Sequence, residues 1–374
     1  MEEEPVGDDR EYQAIIPGLP DDLALRCLAR ISHGYHGLLE CISRKWRDAI
    51  RSMDYAHMKA RHERCGNWLF VSTADGKGQW DAYDPDADRW HPLPTVPTDC
   101  DESFCGFSCV SVCKKFLVIG GCYLYNKRSL AINDVILFDP FKKQWKRAAN
   151  MQTARTDFAC AVISNKVYVA GGGNSSCTGG LSSVEVYDPC ADRWEDLPPM
   201  PFTLIECFSI SYGGQFHVLG KREYNIQQDT YLIFNPVNQH WCIMEDLQLF
   251  CKLTHNYTTI QNGNIYTILE EGSIKKVDMD QKVWCTLGEF PAVVLPKHMR
   301  SLKPFTFGFV AFQQYLYVIG GMTLKYNLDT LSYGIVKLNS NRFCDMRKLP
   351  LEWKDARPMP IRSGRILGCA VMEE

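Results

Sequence analysis

The residues of this 374-residue chain best equipped for chemistry are its 17 cysteines and 9 histidines, and their spacing decides what is open to them. Cys100, Cys105, Cys109 and Cys113 stand close enough together to suggest zinc. The last three, however, fall in or beside a strand-like run at spacings of four, with no second paired knuckle. Gly171 to Gly180, GGGNSSCTGG, is glycine-rich but lies between two strand-like runs. It lacks the Lys-Ser/Thr that opens a helix in a phosphate loop. No Gly-x-Ser-x-Gly elbow and no His-Glu-x-x-His helix occurs. The expectation is a protein without catalytic residues, metal or cofactor, whose work is binding.

The elements that carry these residues repeat. Phe158 to Gly172, FACAVISNKVYVAGG, reads as two strands around a polar turn, closed by a glycine pair. Ser183 to Trp194, SVEVYDPCADRW, alternates apolar and polar residues, turns at Asp-Pro and restarts with tryptophan. Together they make a four-stranded antiparallel unit. Gap-free copies of the first half stand at 107 to 121 and 307 to 321, with looser ones at 208 to 220 and 257 to 269. The second half recurs at 79 to 90, 134 to 145, 230 to 241 and 273 to 284, with a degraded form from Gly334 to Cys344. Four-strand units about 50 residues apart predict a β-propeller, because a sheet apolar on both faces needs neighbours to cover it. The count gives six blades, with five or seven still open. Trp90, Trp145, Trp194, Trp241 and Trp284 are expected as wedges between blades.

The first unit lacks its innermost strand, and the chain ends on Gly364 to Met372, where Cys369-Ala370-Val371 repeats the setting of Cys160-Ala161-Val162. The C-terminus is expected to supply that strand and close the ring.

A net charge of −3 provides no global field for nucleic acid or anionic membranes, and no apolar run approaches the length needed to span a bilayer. Cysteines placed inside strand patterns in an odd total point to a reducing compartment, cytoplasm or nucleus. Residues 1 to 14 form an acidic tail with little to bury and are expected to be disordered. From 15 to 65 the pattern turns helical and predicts three short helices. Leu19-Pro20-Asp21-Asp22-Leu23 opens the first, Leu38, Leu39, Ile42, Trp46 and Ile50 line one side of the second, and Asp54 caps the third. So small a module leaves apolar surface for a partner.

The Gly-Gly pair followed some 20 residues later by Tyr-Asp-Pro and Trp resembles the kelch repeat, over residues 67 to 372. The run LPDDLALRCLARI, then His36, Leu39, Ser43-Arg44-Lys45-Trp46-Arg47 and Arg51-Ser52, resembles the F-box, over 15 to 65. The order is similar to that of the plant F-box/kelch-repeat proteins. Where many relatives have Val before Ser-(Lys/Arg)-(Lys/Arg)-Trp, this chain has Ile42.

The resemblance implies a mainly β fold, a six-bladed kelch propeller preceded by a three-helix F-box. It also implies a non-catalytic substrate receptor of a Skp-cullin-F-box ubiquitin ligase. The Skp-type adaptor, and through it a cullin-RING ligase, would dock on Leu19, Pro20, Leu23, Leu28, Ile31, Leu39 and Trp46. The protein to be ubiquitinated would meet loops that join second to third strands and blade to blade. These carry Tyr123, Arg128, Arg155, Asn174, Arg222, Tyr224, His255, Arg300, Tyr326 and Arg362, a cationic and aromatic set that favours an acidic or phosphorylated peptide. A non-degradative kelch scaffold is the alternative. A propeller enzyme resembling galactose oxidase would need Tyr, His and Cys ligands to converge, which the histidine positions do not suggest.

Overall fold

The computed structural model describes residues 14–31, 33–61, 66–76, 78–97, 103–125, 128–174, 177–222, 225–244, 257–269, 272–278, 281, 283–290, 306–327 and 332–373. The acidic tail falls almost wholly outside them. The chain divides after Gly66 into two compact units.

Among its described residues the first unit holds four α-helices, where three were expected: α1 (Asp21–Ala29), α2 (His36–Ile42), α3 (Arg44–Arg51) and α4 (Met53–Arg61). Two serines account for the difference. Ser43 is extended, at φ −156° and ψ 159°, and its Oγ accepts from the Trp46 N–H at 3.1 Å, which ends α2 and caps α3. Ser52 does the same for α4, where Asp54 had been expected to cap; its Oγ accepts from the Tyr55 N–H at 3.1 Å. The core is small: Ile15, Ala24, Leu28, Ala29, Ile50 and Tyr55. Polar groups inside it finish α1. The buried Lys59 ammonium donates to the Ala29 carbonyl at 2.8 Å and to that of Ile31, and Tyr55 Oη donates to the Leu28 carbonyl at 3.1 Å. The Leu28 carbonyl also accepts from the Ile31 N–H at 3.0 Å, and side-chain donors to the carbonyls at this helix end remove the cost of burying them bare.

The second unit contains six four-stranded antiparallel sheets. From the innermost strand outward, sheet 1 is Ile366–Met372, Trp68–Thr73, Trp80–Asp84 and Arg89–Pro92. Sheet 2 is Ser108–Val112, Lys115–Ile119, Val135–Asp139 and Gln144–Arg147. Sheet 3 is Ala159–Ile163, Lys166–Ala170, Val184–Asp188 and Arg193–Leu197. Sheet 4 is Leu204–Tyr212, Gln215–Arg222, Asn225–Asn235 and His240–Met244. Sheet 5 is Thr258–Gln261, Asn264–Ile268, Ser273–Asp278 and Val283–Glu289. Sheet 6 is Gly308–Phe312, Tyr315–Ile319, Asn341–Asp345 and Lys354–Ala356. The degraded repeat read at Gly334 to Cys344 is corrected here: the third strand of sheet 6 is Asn341–Asp345. Ser332–Lys337 instead pairs with Met322–Asn327 in a separate hairpin inserted after the glycine pair.

Sheet 1 joins the two ends of the unit. Trp68 lies opposite Met372, Phe70 opposite Ala370 and Val71 opposite Cys369. Packing then runs from sheet to sheet. Phe70 stacks on Phe116 between sheets 1 and 2, with ring centroids 4.3 Å apart. Leu137 and Tyr187 share a cluster between sheets 2 and 3, Tyr168 and Phe216 between 3 and 4, and Ile210 and Ile265 between 4 and 5. Ile268 and Phe309 do so between 5 and 6, and Tyr317 and Tyr83 between 6 and 1. Five of the six boundaries also carry a directional bond. Trp90, Trp145, Trp194, Trp241 and Trp353 donate their indole N–H to the carbonyls of Arg357, Pro94, Ala149, Pro198 and Glu289, at 2.7 to 2.9 Å. In each case the acceptor stands at or just past the end of the outermost strand of the preceding sheet.

Removing Gly364 to Glu374 strips a strand that buries Ile366, Ala370 and Met372, at roughly 1.5 to 3 kcal/mol per large side chain. Against a margin of about 5 to 15 kcal/mol, the truncated chain is expected to lose its cooperative thermal transition. An unchanged melting temperature would contradict the role of this strand.

Candidate functional site

The six innermost strands line one cavity of about 330 Å³, each sheet contributing to its wall, for instance through Val371, Val110, Val162, Ile210, Ile260 and Val310. The lining is apolar with Ser, Thr and Cys side chains, and it carries no charged group. Among the described residues, no cluster of three or more His, Cys, Asp or Glu is placed to hold a metal.

At one end of the sheets, the second strand finishes in a glycine pair. Gly171 and Gly172 take φ of +65° and +90°, and a Cβ on Gly172 would lie 2.5 Å from the Thr156 carbonyl oxygen. Only glycine allows this approach, and it lets the Gly172 N–H donate to the Leu204 carbonyl, at the start of the next sheet, at 3.0 Å. Gly121 with Arg155 and Gly321 with Gly364 make the same link. Three hairpins or small sheets grow from these corners. They are Gly173–Asn174 with Cys177–Gly180, Met322–Asn327 with Ser332–Lys337, and a three-stranded sheet of Ser103–Cys105, Cys122–Tyr125 and Arg128–Ala131.

Of the cationic set expected on this face, three arginines are engaged within the fold. Arg155 is fully buried. It donates to the carbonyls of Gly171 at 3.0 Å and Ser183 at 3.1 Å, to Ser183 Oγ at 3.0 Å and to Glu185 Oε1 at 2.6 Å. Glu185, also fully buried, accepts in addition from the N–H groups of Gln152 and Thr153, so the pair ties the linker into sheet 3 to the sheet's third strand. Burial lowers the proton affinity of the Arg155 guanidinium, and the Glu185 carboxylate opposes that shift. Arg362 repeats the arrangement in sheet 1, donating to the buried Asp81 at 2.6 Å. Arg222 donates to Thr230 Oγ1 at 3.0 Å and lies 3.6 Å over the Phe202 ring. Arg155 is a correction, since a fully buried guanidinium cannot meet a substrate; Arg222 and Arg362 are partly exposed and held by these bonds.

Of the rest, Tyr123 is half-buried, with its ring centroid 5.1 Å from that of Phe104, and Asn174 is partly exposed on its short hairpin. Tyr326 is exposed, edge-on to Tyr333 at 5.1 Å. Arg128 sits opposite Tyr125 in the three-stranded sheet, its side chain outside what is described. Tyr224, His255 and Arg300 lie outside the described residues. Among the described residues, this end exposes Leu124, Leu130, Tyr326, Tyr333, Ile335 and Val336, with Lys325 and Lys337 beside them. The signal was available in the alternation of residues 322 to 337, obscured by assigning its second half, from Gly334, to a blade.

In the helical unit, Pro20 and Leu23 are exposed, and Leu19, Ile31 and Leu39 are half-buried. Trp46 is half-buried and donates its indole N–H to the Ile15 carbonyl at 2.7 Å. Leu28 is corrected from surface to core, since it packs among Ala24, Ile50 and Tyr55. Leu38, Ile42 and Met53, absent from the expected docking set, are exposed. Ile42 is turned out because Ser43 ends α2 there.

An F-box domain model matches residues 16–57, and kelch motif models match 103–152 and 154–201. An F-box/kelch-repeat protein of Arabidopsis thaliana is 47% identical over 374 residues, covering 97% of this chain and 98% of its own length. The F-box/kelch-repeat protein SKIP30 of the same plant is 26% identical over 370 residues, covering 95% and 96%. The solved structure of YjhT shares the fold at a TM-score of 0.50 and 14% identity, over 71% of this chain and 86% of that one.

Replacing Arg155 with Met leaves the Glu185 charge buried alone and is expected to lower unfolding free energy by about 3 to 5 kcal/mol in urea titrations. Adding Glu185→Gln to that variant is expected to recover part of the loss. A cost within the range of a surface substitution would return Arg155 to the exposed face.

An F-box match on the helical unit, kelch motif matches over residues 103–152 and 154–201 of the β unit, and a plant relative 47% identical over 97% of the chain together place this chain in the F-box/kelch-repeat protein family.

Proposed function

We propose that the protein is the substrate receptor of a Skp-cullin-F-box ubiquitin ligase, with residues 15–65 as its F-box and 67–372 as a six-bladed kelch propeller. The observation that carries the reading is the apolar surface of the helical unit. Pro20, Leu23, Leu38, Ile42 and Met53 stand exposed on a module too small to cover them, in the segment that matches an F-box. A Skp-type adaptor, with a cullin-RING ligase beyond it, is the partner this surface fits. Leu19, Ile31, Leu39 and Trp46 would support it from beneath.

The ring reading is supported by the sheet-to-sheet packing from sheet 1 through sheet 6 and back, and by a cavity walled by every innermost strand. The protein to be ubiquitinated would bind the hairpins at the glycine-pair end. Their exposed Leu, Ile and Tyr side chains favour an apolar or aromatic segment over the acidic peptide suggested by the arginines. The chain performs no bond chemistry in this scheme. It raises the effective concentration of substrate beside the conjugating enzyme. Thiols distributed along the strands favour the cytoplasm or nucleus as its place of work. No helix among the described residues is long and apolar enough to cross a membrane.

The test is capture of a Skp-type adaptor by the full chain and by a Pro20→Ala, Leu23→Glu variant, both changes lying on exposed positions. Binding by the full chain, weakened at least about tenfold in the variant, is the expected result. Equal capture by both, or none by a folded full chain, would remove the ligase role and leave a kelch scaffold.

A further inference from the structure

Two thiols at the glycine-pair end have no part in the binding scheme. Cys105 and Cys122 stand directly opposite one another on adjacent antiparallel strands, with their sulfurs 3.7 Å apart, and both are free thiols. Directly opposed residues in such a ladder have Cα atoms about 4.5 to 5.5 Å apart, inside the roughly 4.4 to 6.8 Å that a disulfide spans. Bonding them calls for side-chain rotation and leaves the strands in register.

Their surroundings make the two sulfurs unequal. The two sulfurs are in hydrogen-bond contact, and either can donate. That contact, with the Ser129 and Thr156 hydroxyls beside it, pulls the Cys122 thiol below its ordinary value against the effect of burial, while the same contact pushes Cys105 up. Once Cys122 gives up its proton, the Cys105 thiol is in place to donate to it. Cys109, on the innermost strand of sheet 2, shows the contrast, since burial pushes its thiol up to about 12.

We propose that Cys105 and Cys122 are a peroxide-responsive pair that closes to an internal disulfide. The Cys122 thiolate attacks one oxygen of hydrogen peroxide. An S–O bond forms, the O–O bond breaks, and the departing hydroxide takes a proton from solvent to become water. The Cys105 sulfur then attacks the Cys122 sulfenic acid. The S–S bond forms, the S–O bond breaks, and the hydroxyl leaves as water with the Cys105 proton. The two thiols give up two electrons to one peroxide. In a reducing compartment, exchange with dithiols reopens the bond, which makes the modification reversible.

The reduced full-length protein is treated with limiting hydrogen peroxide, remaining thiols are alkylated, and peptides are mapped by mass. A Cys105–Cys122 linked pair is expected as the first oxidation product to accumulate, ahead of oxidation at exposed cysteines such as Cys27 or Cys285. The partner sulfur 3.7 Å away traps the first oxidised thiol. Dithiothreitol should remove the link. In Cys105→Ser, dimedone should label Cys122, and in Cys122→Ser neither the link nor a label on Cys105 should appear. Oxidation of exposed cysteines ahead of the pair, or over-oxidised Cys122 without the link, would overturn the proposal. The wild-type peptide map decides it alone if a variant fails to fold.

Discussion

An indole N–H that reaches over a sheet boundary to a backbone carbonyl is the constraint on which the β unit depends. Five tryptophans make this bond, each to a carbonyl at or just past the end of the outermost strand of the sheet before. The ring body fills the wedge between two sheets while its one polar atom is satisfied by backbone. Hydrophobic contact alone would hold neighbouring sheets together at many angles; the added directional bond selects one. Aspartates sharpen the choice. Asp192 accepts from the Ala149 N–H at 2.9 Å and from Tyr187 Oη at 2.7 Å, and Asp88 does the same with Arg357 and Tyr83. Trp284 departs from the pattern, its buried N–H having no acceptor among the described residues.

With the sheets fixed relative to their neighbours, the corners between them become rigid platforms. Glycine pairs let the second strand turn against the start of the next sheet, and the buried Arg155–Glu185 pair locks the linker to the sheet it enters. Such a pair is worth little as net stability, because desolvating two charges offsets their attraction. Its effect is on geometry: four donated bonds from one guanidinium leave the linker a single arrangement. The hairpins that rise from these corners inherit that rigidity at their bases, which suits a surface that must present side chains to a partner.

Much of the fold was legible because its signals are local and repeated. Phe-x-Cys runs, glycine pairs and Asp-Pro turns recur with the spacing of the strands they make. Cys160 and Cys369, alike in their sequence settings, both occupy innermost strands. The helix count was less legible, because Ser43 and Ser52 act through φ, ψ and one hydrogen bond each, and hydrophobic periodicity runs through them unbroken. The expected binding face was read least well. Arg155, Arg222 and Arg362 look in sequence like any surface cation, and nothing local announces that Glu185, Thr230 or Asp81 will fold back to meet them. Sheet 6 was blurred for a related reason, since a hairpin inserted between its second and third strands carries the same alternation as the strands themselves.

The pairing of Trp68–Thr73 with Ile366–Met372 sets an order in time. The ribosome makes the second strand of sheet 1 near the start of the unit and the innermost one at its end. Until the last residues emerge, the first sheet has three strands and an open edge of unpaired N–H and carbonyl groups beside apolar side chains. Such an edge is a template for association with other nascent chains. A chain cut short before Ile366 keeps that edge open for its lifetime.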